Sequence, residues 1–157
     1  MTYGARMVVV EVVTHVTAPA ARTFDLALDM EVHAASLAGS EETATTSTGT
    51  PALLLGDEVT LRARHAGLMW TMTARVTAYD RPRRFVDEQV RGPFATMSHE
   101  HLFAEVSPGR TVMTDRMTVR APFGLLGRAA EAALLGPYLR RLLRQRATYV
   151  RQRAEAG

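Results

Sequence analysis

The amino-acid sequence predicts an α+β fold of the helix-grip type, in which a seven-stranded, curved antiparallel sheet wraps around a long C-terminal helix. Three observations predict it: residues 7–17 are rich in valine and threonine, residues 40–119 alternate apolar and polar side chains between turns, and the chain ends with apolar residues at helical spacing. A sheet cannot close fully around one helix. We therefore expect a pocket between them that suits an apolar ligand.

The first strand ends before Pro19, which opens a short helix over residues 20–29. A break at Asp29 separates this helix from a second short one that ends near Leu37. The sequence therefore predicts two short helices directly after the first strand.

Six short strands follow, separated by turns that contain glycine or proline. In residues 59–65 and 70–77 every second side chain is apolar, so one face of the sheet is expected to be buried and the other to face water. Over residues 111–120 the same alternation holds, but Asp115 interrupts the apolar row. A carboxylate in that row is a candidate functional group.

The final segment, after Pro122, carries leucine and tyrosine side chains at helical spacing, with arginines assigned to the rest of the helix surface. Pro137 predicts a kink after Gly136, because proline cannot donate a backbone hydrogen bond. Together these elements complete the predicted helix-grip order.

The composition is that of a chain with one ordinary hydrophobic core. Of 157 residues, 46% are hydrophobic and 22% charged, so we expect a single domain over residues 1–157. The absence of cysteine excludes disulfides, thiolate nucleophiles and cysteine metal sites. No secretory signal begins the chain and no apolar run reaches the roughly 18 residues of a membrane span, so a cytoplasmic location is expected.

The charge of the chain comes from arginine alone among basic residues, and the formal net charge is +3. Arginines are concentrated between Arg128 and Arg153, where they could meet phosphates or an anionic membrane. Because no aromatic residues for base stacking accompany them, we interpret this segment as a solvent-exposed helix face. The expected partner is a small apolar molecule and not a nucleic acid, and membrane contact by the basic C-terminal helix is the less favoured alternative. The sequence leaves monomer and homodimer open.

Three stretches of the sequence, in this order, resemble the SRPBCC superfamily of START-like and pollen-allergen-like domains. They are APAARTFDLALDMEVHAASL, RPRRFVDEQVRGPFATMSHEHLF, and TVMTDRMTVRAPFGLLG with the arginine-rich helix after it. The resemblance implies a ligand cavity under the last helix. The group that looks most similar is the bacterial polyketide cyclase/dehydrase-like ligand-binding group, in which a tryptophan often stands where this chain has Met97. That difference implies a locally larger pocket.

A His-x-His pair on a predicted strand indicates acid–base chemistry. A period of two places His99 and His101 on one face, and a three-residue hairpin loop after Val106 would pair that residue with Arg110 and set His101 opposite Asp115. A histidine beside a carboxylate in an apolar cavity can move a proton near neutral pH, which suits enolisation, aldol closure or dehydration. The alternatives are that the two groups only satisfy one another in a core, or that a different register places them in solvent.

The strand before this one leaves two orientations open. The turn that precedes it places Asp87 and Gln89 on the apolar face, whereas a two-residue turn at Gly92 favours Glu88 there. A bulge near Gly92 reconciles the two. We expect Asp87 on the apolar face, beside His99.

The residues expected to bind the ligand share a place in an apolar row or near the pocket mouth. They are His33, His65, Trp70, Met72, Gln89, Met97, Phe103, Met113, Met117 and Tyr138. Ordinary core packing, or for the two histidines a surface position, is the alternative.

Two motifs bear on a metal site and on nucleotide chemistry. A His-x-His pair with a nearby aspartate can supply three zinc ligands, but two histidines are a weak signal and related cyclases need no metal. Residues 124–127 lack the lysine and hydroxyl of a phosphate-binding loop, and no nucleophile elbow occurs. We expect no metal and no cofactor.

The leading hypothesis from the sequence is a cofactor-free, polyketide cyclase/dehydratase-like enzyme with lyase or isomerase chemistry. It would bind a small, largely apolar carbonyl compound and use His101, Asp115, His99 and Asp87 as catalytic acid and base. Two alternatives stay open: a non-catalytic carrier or sensor of a lipid or isoprenoid, and a structural or partner-binding domain.

Overall fold

The computed structural model describes residues 7–121 and 131–157. The sheet consists of β1 (Val8–Val16), β2 (Thr43–Thr46), β3 (Glu58–His65), β4 (Leu68–Asp80), β5 (Arg84–Arg91), β6 (Thr96–Ser107) and β7 (Arg110–Arg120). The helices are α1 (Ala20–Ala27), α2 (Met30–Ser36) and α3 (Gly136–Glu155), with a short 3₁₀ helix at Ala38–Ser40. The predicted element order, two short helices after the first strand and one long final helix, is confirmed.

All seven strands belong to one antiparallel sheet in the order β1-β7-β6-β5-β4-β3-β2. The helix α3 packs along β1 and touches α1 and α2, so that it lies in the concave side of the sheet. The predicted seven-stranded helix-grip architecture is therefore confirmed. None of the described helices combines the length and the apolar character that a membrane crossing requires.

The break between α1 and α2 is held by a side-chain cap. Asp29 Oδ1 accepts hydrogen bonds from the backbone N–H of Glu31 at 2.8 Å and of Val32 at 3.1 Å. These two donors have no partner within a helix that begins at Met30, so the aspartate fixes where α2 starts. The predicted break at Asp29 is confirmed.

The β6–β7 hairpin has the predicted register but a different turn. Ser107 pairs with Arg110, which leaves a two-residue loop, and Gly109 has the expected left-handed conformation with φ at 72°. The pairing of Val106 with Arg110 was wrong, because Val106 lies in an irregularity between Glu105 and Ser107. This extra residue compensates for the shorter loop.

Because of that compensation, the residues that were predicted to face each other across this hairpin do so. His101 lies opposite Asp115, His99 opposite Met117 and Phe103 opposite Met113. The imidazole and the carboxylate therefore share the concave face.

The β4–β5 pair contains the bulge that was expected near Gly92. Thr73 pairs with Arg91 but Ala74 pairs with Gln89, so Val90 is an extra residue on β5. A side chain at Gly92 would place its Cβ 2.9 Å from Gln89 Cδ, which explains why glycine stands there. The bulge reconciles the two orientations of β5 and turns Asp87 toward the concave face.

The C-terminal helical segment changes geometry where a kink was predicted. Glu131–Leu135 is π-helical, and α3 begins at Gly136 with Pro137 in its first turn. Pro137 thus starts an α-helix and does not bend a continuous one, because the first turn needs no backbone donor there. The residues 122–130, on which the predicted start of this helix falls, lie outside the described residues.

One end of the concave face is filled by α1. The ring of Phe24 is fully buried and packs edge-on against Tyr79, Phe85 and Phe103, with ring centroids 5.2–5.5 Å apart. This aromatic cluster closes the space beneath that end of the sheet. The space toward β3 and the start of α3 stays open and forms the cavity described next.

Candidate functional site

A cavity of about 450 Å³ lies between the sheet and α3. Its size is in the range of pockets that hold small organic ligands. Most of its wall is aliphatic or thioether carbon, contributed by Leu37, Leu61, Ala63, Met72, Met97, Met117, Leu135, Leu139, Leu142 and Leu143. A ligand that fills this space must be largely apolar.

Polar side chains in the wall form a cluster at the buried end of the cavity, which we call the deep cluster. Its wall residues are Asp87 from β5, His99 from β6, Arg146 from α3, His33 from α2, and Glu42 just before β2. Five separate parts of the chain thus converge on one polar patch inside an apolar cavity. Such an arrangement is typical of a site that orients one polar group of a ligand.

His101 lies directly behind this wall, against two rings. The Phe85 ring stacks on it at a centroid distance of 4.0 Å, and the His99 ring lies against it at 3.8 Å, tilted by 34°. Its Nδ1 is 2.8 Å from Asp115 Oδ1, and its Nε2 is 2.9 Å from Asp87 Oδ1. Since both ring nitrogens face carboxylate oxygens, only the doubly protonated imidazolium donates to both. In that form His101 bridges two carboxylates, and Arg146 Nη1 lies 3.5 Å from its Nδ1.

Asp115 is the anionic centre behind the wall, with 1% of its surface exposed. Besides His101, its Oδ1 is 3.3 Å from His99 Nε2 and 3.4 Å from Arg146 Nη1. Burial works to raise the pKa of this carboxyl, but the hydrogen bond from His101, the nearby ring of His99 and the charge of Arg146 hold it well below its usual range. Asp115 is consequently an ionised carboxylate.

The two titratable groups that β5 and β6 present to the cavity differ in charge. Burial, together with the positive charge of His101, lowers the pKa of His99 to about 4, so its imidazole is neutral at pH 7. For Asp87, burial acts to raise the pKa, but the hydrogen bond from His101 and nearby positive charges lower it to about 2. The wall thus holds a neutral imidazole beside a carboxylate.

His99 also has unused hydrogen-bonding capacity. Its contact with Asp115 does not meet hydrogen-bond geometry, and Nε2 has no hydrogen-bond partner among the described residues. Such contacts often tighten when a ligand binds. With Nε2 facing Asp115, Nδ1 is the ring nitrogen left for a ligand.

Arg146 was missed by the sequence-based prediction, which assigned the arginines of α3 to its surface. It is 5% exposed and donates to His33 Nδ1 at 3.0 Å and to the backbone oxygen of Ala27. The signal was present, because position 146 follows the buried Leu139 and Leu143 at helical spacing. A charged residue in that stripe marks the site in the same way as Asp115 does in β7.

The His33 ring joins Arg146 to Glu42. Its Nδ1 accepts from Arg146, so the neutral ring carries its proton on Nε2, which lies 2.9 Å from Glu42 Oε1. The expectation that His33 reaches the pocket agrees with its place in the wall. The Ser36 hydroxyl, on the same helix, donates to the His33 backbone oxygen at 2.6 Å, so its hydrogen bond is made within α2.

The other end of the cavity is its rim, formed by His65, Trp70 and Tyr138. His65 Nδ1 is hydrogen-bonded to the Tyr138 hydroxyl, and the indole N–H of Trp70 donates to the His65 backbone oxygen at 3.1 Å. Trp70 and Tyr138 are 41% and 37% exposed, so they stand at the boundary with solvent. All three were predicted to contact the ligand.

Three residues predicted to line the pocket do not line it. Phe103 and Met113 are buried in the aromatic core under α1, because Phe24 fills that end of the sheet. The amide of Gln89 is used by the backbone of Phe94, donating at 2.8 Å and accepting at 3.2 Å, so it fixes the β5–β6 connection. Alternation places a side chain on the concave face but does not say which part of that face is open.

Of the four predicted catalytic residues, two reach the cavity wall and two do not. Asp87 and His99 line the cavity, whereas His101 and Asp115 are each 1% exposed and lie one layer behind. The predicted pairing of His101 with Asp115 is present, but direct contact of either with a ligand is not. Asp87 and His99 are therefore placed to touch a ligand, whereas His101 and Asp115 contact only these two wall residues and other buried groups.

Asp87, His99 and His101 also bring potential metal ligands together, with ligand atoms within 4.8 Å of one another. Two imidazoles and a carboxylate are a donor set that zinc accepts. However, both nitrogens of His101 already donate to carboxylates, and Arg146 adds a positive charge nearby. A metal would have to displace the proton between His101 and Asp87, so this donor set fits a proton better than a divalent ion.

A cavity of this kind between a curved sheet and a long helix defines a helix-grip protein that binds hydrophobic ligands. The family model described as "Polyketide cyclase / dehydrase and lipid transport" matches residues 7–155. The chain therefore belongs to this family. No curated protein sequence matches it.

Solved structures share the fold at low sequence identity. The Zhui aromatase/cyclase from Streptomyces sp. R1128 is 21% identical, with a TM-score of 0.69 over 96% of this chain and 94% of that one. A START superfamily protein from Mycobacterium smegmatis is 15% identical, with a TM-score of 0.66 over 94% and 97%. The major latex-like protein 151 of Panax ginseng is 10% identical, with a TM-score of 0.71 over 94% and 97%. At these identities the likeness establishes the fold.

Proposed function

We propose that this protein binds a small, largely apolar carbonyl compound in its cavity and promotes cyclisation or dehydration of that compound at the deep cluster. The observation that carries the proposal is a neutral imidazole, His99, beside an ionised carboxylate, Asp87, in the wall of an apolar cavity. The family description and the aromatase/cyclase neighbour support this class of chemistry.

In the proposed reaction His99 moves one proton in each step. Its Nδ1 removes a proton from the carbon next to the ligand carbonyl, and an enolate forms. In an intramolecular closure this carbon attacks a second carbonyl, and protonated His99 gives its proton to that oxygen, which becomes a hydroxyl. In the dehydration, neutral His99 removes the second proton from the same carbon and gives it to the leaving hydroxyl, so that water departs and a double bond forms. The low pKa of His99 makes its protonated form a strong acid, which favours the second half.

The groups behind the wall are proposed to position the wall groups. Asp115 faces His99 Nε2, so it fixes the tautomer that leaves Nδ1 toward the ligand and stabilises the imidazolium when it forms. His101 holds the carboxylate of Asp87 at 2.9 Å. Asp87 is then fixed as a hydrogen-bond acceptor for the ligand hydroxyl.

Dehydration of a simple β-hydroxy ketone tests this function. The probe is the aldol of benzaldehyde with acetone, which loses water to give benzylideneacetone, and the conjugated product is followed by its ultraviolet absorbance. We expect the wild-type protein to accelerate this reaction and the Asp87→Asn variant to lower kcat about tenfold, because an amide binds the hydroxyl without its charge. The matched control is Glu88→Gln, the next residue on β5, which is exposed.

Three outcomes separate the hypotheses. Acceleration that depends on Asp87 but not on Glu88 supports the enzyme. Equal rates in wild type and Asp87→Asn contradict the assigned role of Asp87. If calorimetry detects binding of benzylideneacetone but the wild-type protein gives no acceleration, the catalytic proposal is overturned in favour of a non-catalytic carrier.

A further inference from the structure

The deep cluster contains a polar pair that the proposed reaction does not use. This pair is His33 of α2 and Glu42, which precedes β2, and both residues line the cavity. The proposed function assigns the reacting groups of the ligand to Asp87 and His99, which belong to β5 and β6. His33 and Glu42 are therefore available to contact another polar group of the same ligand.

Glu42 presents an acceptor to which no described residue donates. Its side chain is only 4% exposed, and its Oε1 has no hydrogen-bond partner within residues 7–121 and 131–157. Nε2 of His33 lies 2.9 Å away, but this contact does not meet hydrogen-bond geometry. A buried carboxyl oxygen without a donor is unfavourable, because folding has removed it from water. A donor on a ligand in the cavity would satisfy it.

His33 presents the complementary donor. Its Nδ1 accepts a hydrogen bond from Arg146 Nε at 3.0 Å, so the neutral ring carries its proton on Nε2. That N–H makes no hydrogen bond with Glu42 Oε1. The helix that carries the ring is tied to α3, since Gln145 Nε2 donates to the Ser36 backbone oxygen at 3.2 Å. A donor and an acceptor thus stand side by side in the cavity wall.

A hydroxyl group of the ligand matches this pair. A hydroxyl oxygen accepts from the Nε2–H of His33 while its hydrogen is donated to Glu42, whereas a carbonyl or ether oxygen can only accept. Because the two protein atoms are 2.9 Å apart, one hydroxyl oxygen can lie within hydrogen-bond distance of both. A carboxylate on the ligand would leave Oε1 of Glu42 without a donor.

We infer that His33 and Glu42 form a second subsite, which binds a further, non-reacting hydroxyl group of the ligand. The inference deepens the proposed function and rests on it for the position of the reacting carbonyl at Asp87 and His99. The ligand class is then a largely apolar carbonyl compound that also carries an alcohol or phenol hydroxyl. Binding of that hydroxyl fixes which carbon of the ligand faces His99.

Benzylideneacetones that differ in one ring substituent test the subsite. The compounds are benzylideneacetone, its ortho, meta and para hydroxy derivatives, and the methoxy counterpart of each, which accepts but cannot donate. The isomers place the hydroxyl at different distances from the carbonyl. Each compound is titrated into the protein by calorimetry. We expect at least one hydroxy isomer to bind about tenfold more tightly than both benzylideneacetone and its own methoxy counterpart.

Variants of two neighbouring residues assign the effect to Glu42. Glu42→Met removes the acceptor but fills similar space, so the advantage of the hydroxy isomer should disappear. Glu41→Met removes a carboxyl whose side chain is 67% exposed, and it should keep the wild-type advantage. Thermal unfolding curves verify folding. If Glu42→Met is unfolded, Glu42→Gln takes its place and should reduce the advantage, because a neutral amide oxygen is the weaker acceptor.

The opposite results overturn the subsite. If no hydroxy isomer binds more tightly than benzylideneacetone in the wild-type protein, His33 and Glu42 satisfy each other and take no ligand group. An advantage that persists unchanged in the Glu42 variants places the hydroxyl elsewhere in the cavity. In both cases the proposed function stands, because the aldol of its own assay carries no further hydroxyl. Failure of every compound to bind overturns ligand binding in the cavity, and the subsite with it.

Discussion

Replacing Arg146 by methionine is expected to lower the free energy of unfolding by about 3–5 kcal/mol, because it removes one of the charges that compensate the buried carboxylate of Asp115 and leaves the buried acceptors of Arg146 without a donor. Arg146 donates to Asp115 at 3.4 Å, to His33 at 3.0 Å and to the backbone of Ala27. Methionine keeps much of the length of the side chain but none of its donors. For a chain of this size the loss corresponds to a fall in Tm of roughly 6–20 °C, measured by calorimetry or circular dichroism.

Two comparisons make this prediction specific. Arg144→Met, at an exposed position on α3, should change stability by no more than about 0.5 kcal/mol. The double variant with Arg146→Met and Asp115→Asn should recover part of the loss, because the asparagine oxygen still accepts from His101 while the unbalanced charge is gone. If Arg146→Met and Arg144→Met unfold at the same temperature, the buried charge network does not stabilise the fold as described.

The second large effect is expected from His99→Gln in the dehydration of the benzaldehyde–acetone aldol. Glutamine fills similar space but does not take up a proton, so kcat should fall by about a hundredfold or more while KM changes little. His99 is the imidazole in the cavity wall, and His101 lies behind it with both nitrogens bonded to carboxylates. The loss therefore reports on proton transfer and not on binding.

The control for this prediction is His15→Gln, which removes an exposed histidine from β1. It should keep the wild-type kcat. A His99→Gln protein that is folded and dehydrates the aldol at the wild-type rate would contradict the assignment of His99 as the base.

Much of the fold was predictable because its signals are local. Alternation with a period of two, turn residues between the strands and an apolar stripe on the last helix each depend on neighbours in the chain. The pairing of His101 with Asp115 was predictable for a second reason, since the apolar rows of β6 and β7 had to face the same side. The turn itself was mistaken by one residue without consequence, because the irregularity at Val106 restored the register.

The site was less predictable because its composition depends on contacts between distant parts of the chain. Whether Phe103 and Met113 line a cavity or a core depends on Phe24 of α1, and the alternation of their strands is the same in both cases. Glu42 lies in the cavity wall 2.9 Å from His33 of α2, a contact between separate elements that no local pattern predicts. Arg146 follows the apolar stripe of α3, but the sequence-based prediction assigned all arginines of this helix to its solvent-exposed surface.

We propose that His99 contacts the ligand, whereas His101 is a buried imidazolium that holds Asp87. Long-range proton–nitrogen correlation spectra of the histidine rings, recorded with and without saturating benzylideneacetone, test it directly. We predict that the Nδ1 signal of His99 shifts when the compound binds, while His101 shows two protonated nitrogens in both states. Unchanged His99 signals in a protein that has bound the compound, or a singly protonated His101, would contradict the account.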